Sequence, residues 1–133
     1  MRYLLDTDTA SYSIRGASAA LDSRLAKAAA RDLAISVVTR AELLFGVEKR
    51  GNPRGLARVV HAFLDRIAIL PWDNAAVDVF AKVRAQLERQ GTPIGFADTM
   101  IAAHAISLKA TLVTNNQKHF LNVKGLSLEN WLA

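Results

Sequence analysis

The chain has 133 residues, 51% of them hydrophobic, which is enough for one domain with a packed core, and a single domain over residues 1–133 is expected. The absence of cysteine excludes a disulfide framework and thiolate zinc sites, and charged residues interrupt every apolar stretch short of the roughly 18 residues a membrane span needs. A formal charge of +5, drawn largely from Arg15, Arg24, Lys27, Arg31, Arg40, Lys49, Arg50, Arg54, Arg58 and Arg66, suits a polyanionic partner, although the same cations serve equally well as solvated helix faces.

The chain enters an apolar run at once, and residues 2–5 predict a first strand, with no basic-then-apolar leader before it and hence a cytoplasmic location. Helical patterns follow at about 9–15 and 18–30, then a β-branched run predicts a second strand at 34–38. Further helices are expected at 40–50 and 54–65, separated by Gly51-Asn52-Pro53, and a third strand at 67–70. A long helix at 74–90 with an apolar stripe through Ala76, Val77, Phe80, Val83 and Leu87 ends at Gly91-Thr92-Pro93, and a last helix is expected at 97–109. A fourth strand at 111–114 and a short one near 126–128 complete the pattern. Short buried strands alternating with helices define an α/β fold: a three-layer domain whose central parallel sheet of four to five strands is flanked by helices.

Acids fall where such a sheet binds ligands, at the carboxyl ends of its strands. Asp6 closes the first strand, as a chemical group or as a helix N-cap. Asp8, two residues on, is the more natural cap if the helix begins at Thr7 or Asp8. Glu42 follows Thr39 at the spacing of a capping box, which would hold its carboxylate at a helix N-terminus above a strand end. Asp98 opens DTMIAAHAISLKA, in whose first helical turn the dipole also favours an acid. Carboxylates converging there need a cation to coexist, and Mg²⁺ or Mn²⁺ is the simplest that prefers oxygen. Asn115 and Asn116, after the fourth strand, are turn residues or neutral oxygen ligands. Of the three histidines, His61 and His104 read as structural, whereas His119 lies near a strand end. No Ser-His-Asp arrangement, P-loop or dinucleotide fingerprint is present.

The segments YLLDTDTASYSIRG, SVVTRAELLFGVEK, LPWD, ERQGTPIG, GFADTMIAAHA, TLVTNNQKHF and GLSLENW resemble, in order and over nearly the whole chain, the PIN-domain ribonucleases, specifically the VapC toxins of bacterial toxin–antitoxin pairs. By that resemblance Asp6, Glu42 and Asp98 match the catalytic, metal-binding acids. Asn116, with Asn115 beside it, falls near the site of a fourth acid in many members, and Asp8 replaces an Asn often found there.

The resemblance implies a ribonuclease that cleaves structured RNA, a tRNA or an rRNA loop, by Mg²⁺- or Mn²⁺-activated water. Thr7 and Thr114 would orient ligands or water, and Arg15, Arg40, Lys49 and Arg50 would contact RNA. It also implies a cognate VapB-type antitoxin as partner, a homodimer, and a larger hetero-oligomer with the antitoxin. A dimer surface could come from the Ala-rich face of 17–30 or the apolar residues of 40–65. Two rivals are a haloacid-dehalogenase-type phosphatase, suggested by Asp6-Thr7-Asp8 but lacking an acidic pair after the fourth strand, and a non-catalytic RNA-binding or antitoxin-partner module with a degenerate metal site.

Overall fold

A computed structural model describes residues 2–132; Met1 and Ala133, the ends of the expected 1–133 domain, lie outside the described residues. Five parallel strands form one sheet: β1 (Tyr3–Leu5), β2 (Leu33–Ser36), β3 (Ala68–Leu70), β4 (Thr111–Val113) and β5 (Ser127–Glu129), in the order β3-β2-β1-β4-β5. β1 therefore lies at the centre, with Leu5 in register with Ile35 on one side and Val113 on the other. The strand order reverses at β1, and the crevice at such a switch point is where open parallel sheets bind ligands.

Alternation along the strands sorts the core into two layers. Leu4, Ala34 and Leu112 face one way, into a cluster with Val83 and Leu87 of α5 (Asn74–Arg89) and Ile101, Ala102 and Ala105 of α6 (Phe96–Leu108). Leu5, Ile35 and Val113 face the other way, against α1 (Thr7–Arg15), α2 (Ala19–Lys27), α3 (Val37–Lys49) and α4 (Arg54–Arg66). Both leucines of β1 are fully buried, each contributing roughly 1.5–3 kcal/mol by burial, so the strand that carries Asp6 is anchored from both faces. A short helix, α7 (Gln117–Phe120), connects β4 towards β5.

The expected architecture is the observed one, with differences at element ends. The 18–30 helix stops at Lys27, where Ala28 turns to an extended conformation, and a separate 3-10 turn covers Ala30–Asp32. The more consequential correction is at the second strand, which ends at Ser36 rather than at residue 38. Ser36 caps α3 by accepting from the Val38 amide at 3.1 Å, so Val37, Val38 and Thr39 are already helical. The capping box expected between Thr39 and Glu42 does not form, because Thr39 lies inside the helix with its side chain buried. The expected dimer surfaces are also sorted: Leu43, Val47, Val60 and Leu64 belong to the core, whereas Ala19, Ala20 and Ala26 are exposed.

Candidate active site at the carboxyl edge of the sheet

Asp6 leaves β1 with its amide bonded to the Val113 carbonyl at 3.0 Å and its carboxylate accepting from the Thr9 amide at 2.8 Å. It is therefore Asp6, not Asp8, that caps α1; Asp8 lies exposed in the first turn of the helix. Asp6 is only 4% exposed, and burial raises its carboxyl above the ordinary aspartate range, with the charge of Asp8 adding to the effect. Hydrogen bonds from Thr114, at the end of β4, and from Thr9 act in the opposite sense. Among the described residues no Lys, Arg or His forms an ion pair with Asp6 or Glu42.

Glu42 reaches the same edge from α3. Its Oε1 accepts from the Thr7 hydroxyl at 2.5 Å, and Thr7 lies 3.1 Å from the Thr39 hydroxyl. Because the Thr7 proton goes to the carboxylate, Thr39 supplies the proton of the second bond, giving a chain Thr39 to Thr7 to Glu42. That chain replaces the capping box: Thr39 does orient Glu42, but through Thr7 on α1.

Asp98 lies in the first turn of α6, which Gly95 opens at φ +94°, a conformation that a residue with a Cβ rarely adopts. Its Oδ2 is 2.8 Å from His119 Nε2 on α7. Asn116 places that histidine: its Oδ1 accepts from the His119 amide at 3.3 Å, and its own amide donates to Thr114 Oγ1 at 3.0 Å. The Asn116 side chain is thus engaged in capping α7, while Asn115 is half-buried beside it. The pairing of His119 with Asp98, 21 residues apart, has no local sequence signal beyond the position of His119 near the end of β4.

The four expected RNA-contacting cations separate. Arg15 and Arg50 line a groove of about 470 Å³ together with Thr7, Ser11, Glu42 and Gly46, so both arginines border the same depression as an acid. Lys49 is exposed one turn from that groove, 5.9 Å from the Phe45 ring centroid, and Arg40 is exposed on the first turn of α3.

Asp6, Glu42, Asp98, Thr7, Thr114 and Asn116 present oxygen donors at or near this one edge, in kind the donor set of a hard divalent cation. Among the described residues, no three histidine, aspartate or glutamate side chains as they stand form a group that could hold an ion. Each acid is instead held by a protein group, Asp6 by Thr9 and Thr114, Glu42 by Thr7, and Asp98 by His119, and a bound ion would compete with those partners.

The PIN domain family matches residues 3–126. The chain is 37% identical over 131 residues to a tRNA(fMet)-specific endonuclease VapC of Shigella flexneri, covering 98% of each protein. It superposes on the crystal structure of DNA-bound VapBC from Salmonella typhimurium with a TM-score of 0.92 at 34% identity, covering 98% of each chain. On that of VapBC2 from Rickettsia felis bound to a promoter DNA fragment, the TM-score is 0.91 at 35% identity, covering 98% of this chain and 99% of that one. The chain belongs to the PIN domain family and, within it, to the VapC ribonucleases. The phosphatase reading is thereby set aside.

Proposed function

We propose that the protein is a metal-dependent endoribonuclease toxin that cleaves structured RNA and is held inactive by a VapB-type antitoxin. The observation that carries this reading is the Thr7 hydroxyl bond that ties Glu42 of α3 to the residue next to the buried Asp6, with Asp98 in the first turn of α6. Full-length similarity to a tRNA(fMet)-specific endonuclease supports RNA as substrate, and similarity to the toxin chains of two VapBC assemblies supports an antitoxin partner. A homodimer and a larger toxin–antitoxin assembly complete the proposal. No helix among the described residues is long and apolar enough to cross a membrane, and a cysteine-free chain suits the cytoplasm.

Asp6, Glu42 and Asp98 would hold one or two Mg²⁺ or Mn²⁺ ions, with Asn116 as a neutral oxygen at the rim. Bound there, the ion supplies a water acidic enough to ionise near neutral pH and positive charge for the phosphate. The protein's own groups do the rest. Thr7 fixes the direction of the Glu42 carboxylate, Thr114 and the Thr9 amide fix that of Asp6, and His119 fixes that of Asp98. Arg15 and Arg50 hold flanking phosphates along the groove. Water adds to phosphorus and the 3′-oxygen leaves with a proton, so products carry 5′-phosphate and 3′-hydroxyl ends and the ribose 2′-hydroxyl takes no part.

The test is cleavage of tRNA and rRNA by protein stripped with EDTA and then resupplied with Mg²⁺ or Mn²⁺, with the new ends analysed chemically. Activity restored only by the metal, with 5′-phosphate ends, is expected. Full activity in chelator or 2′,3′-cyclic phosphate ends would overturn the mechanism, and failure to bind either ion would favour a non-catalytic RNA-binding module.

A further inference from the structure

Among the described residues six large hydrophobic side chains are exposed, and only two of them are aromatic: Phe45 at 64% and Phe96 at 62%. Both lie within one helical turn of an acid assigned above. Phe45 follows Glu42 by three residues on α3, so the two share a helix face; Phe96 precedes Asp98 by two in the first turn of α6, its ring on the α5 side while Asp98 turns to His119. Each also carries a cation: Lys49 Nζ is 5.9 Å from the Phe45 centroid, and Arg84 Cζ is 5.5 Å from that of Phe96.

Phe96 is braced from beneath. Phe80 packs against it at 5.4 Å, Trp72 meets Phe80 edge-on at 5.7 Å, and Trp72 Nε1 donates to the Met100 carbonyl of α6 at 3.0 Å. The guanidinium of Arg84 is itself held by Glu88 at 3.0 Å. A hollow of about 300 Å³, walled by Leu87, Pro93 and Phe96 with Arg84 and Glu88 at its rim, opens beside the ring and is large enough for a flat heterocycle. An apolar ring left in water under a cation, next to a centre suited to phosphate chemistry, matches unpaired nucleic acid: the ring meets the face of a base and the cation meets its phosphate. A base-paired helix offers no free base faces to such a ring.

We propose that Phe45 with Lys49 and Phe96 with Arg84 are two base-stacking platforms that hold unpaired nucleotides of the RNA substrate on either side of the acidic centre. The proposal rests on the ribonuclease reading and adds to it the two side chains that hold the unpaired nucleotides. It assigns affinity to two side chains that take no part in bond breaking.

The experiment measures fluorescence anisotropy of a labelled oligoadenylate of about 12 nucleotides, and of duplex RNA of equal length, against metal-stripped protein in EDTA. Phe45→Ala and Phe96→Ala are each expected to weaken oligoadenylate binding about fivefold or more, and to leave duplex binding unchanged. Phe→Trp at each position should retain the affinity, and Phe→Leu, which keeps apolar bulk without a π-face, should not. Unchanged binding in the Ala variants would overturn the platforms while leaving the ribonuclease intact, as would full rescue by Leu. A changed oligomeric state on light scattering with unchanged RNA affinity would assign these surfaces to a protein partner instead. Failure of the wild-type chain to bind the oligoadenylate at all would count against both the platforms and the RNA-binding reading beneath them.

Discussion

The Thr7 hydroxyl donates to Glu42 Oε1 at 2.5 Å, joining the first residue of α1 to a glutamate on a different helix. This bond, and not a local cap, determines where the carboxylate points. Thr7→Val keeps the shape of the side chain and removes the donor, and activity is expected to fall about 10- to 100-fold, the range seen when a partner of a metal-binding group is lost. Thr7→Ser should retain most of it. Initial rates at saturating Mn²⁺, with thermal melts to confirm that the fold is unchanged, check this.

Burial raises the Asp6 carboxyl, so the folded protein favours its neutral form. The unfolded chain releases that proton at lower pH than the native chain, and ionised Asp6 therefore opposes folding. The penalty is absent below the ordinary aspartate value of 3.8 and fully present once pH exceeds the raised native value. Asp6→Asn keeps an acceptor for the Thr9 amide and removes the charge. The variant should melt a few degrees above the wild type at neutral pH without metal, should lose that advantage near pH 3, and should not cleave RNA. Calorimetry across that range would contradict the reading if the variant were the less stable protein at neutral pH.

Asn116 caps α7, which separates its two suggested roles. Asn116→Ala should lose about 1 kcal/mol of stability through the cap and far less activity than Asp98→Asn. Asn116→Asp caps equally well and adds a charge near the acids, so it should tighten Mn²⁺ binding at unchanged stability. Calorimetric titration with Mn²⁺ compares the two directly; equal affinities would mean that residue 116 does not face the ion.

His104 is buried on α6 with Nδ1 2.8 Å from Ser36 Oγ, and burial lowers its proton affinity, offset in part by the charge of Asp73 and the Pro71 carbonyl. The unfolded chain takes up a proton near the ordinary value of 6.5 and the native chain only at lower pH. Stability from this site is complete above 6.5 and declines as pH falls from there towards the lowered native value. His104→Asn, which titrates nothing, should show a flatter stability profile between pH 7 and 5 in denaturant melts.

Most of the fold is legible because its signals are local. Leu4-Leu5, Ala34-Ile35 and Leu112-Val113 are short apolar pairs that serve two buried faces at once, and each is followed by a polar residue at the functional edge. The start of α3 is not legible in the same way. Val37, Val38 and Thr39 are β-branched and continue a strand pattern, yet the Ser36 cap turns the chain before them, and tertiary context overrides propensity. The positions of the acids can be read from the chain, but their partners cannot. Thr7 and Glu42 are 35 residues apart, His119 and Asp98 are 21 apart, and no periodicity encodes such pairs.

The central place of β1 divides the molecule into parts with different freedom to change. Asp6 follows a strand packed on both faces and flanked by partners on both edges, so moving it would mean rebuilding the sheet. Arg15, Lys49, Phe45 and Phe96 on helices around it, and Arg50 at the end of α3, are exposed, where a substitution usually shifts stability by less than about 0.5 kcal/mol. Under the proposed function, the choice of RNA is therefore open to redesign on the helical rim as a nearly independent variable, with the acids at the sheet edge carried along unaltered.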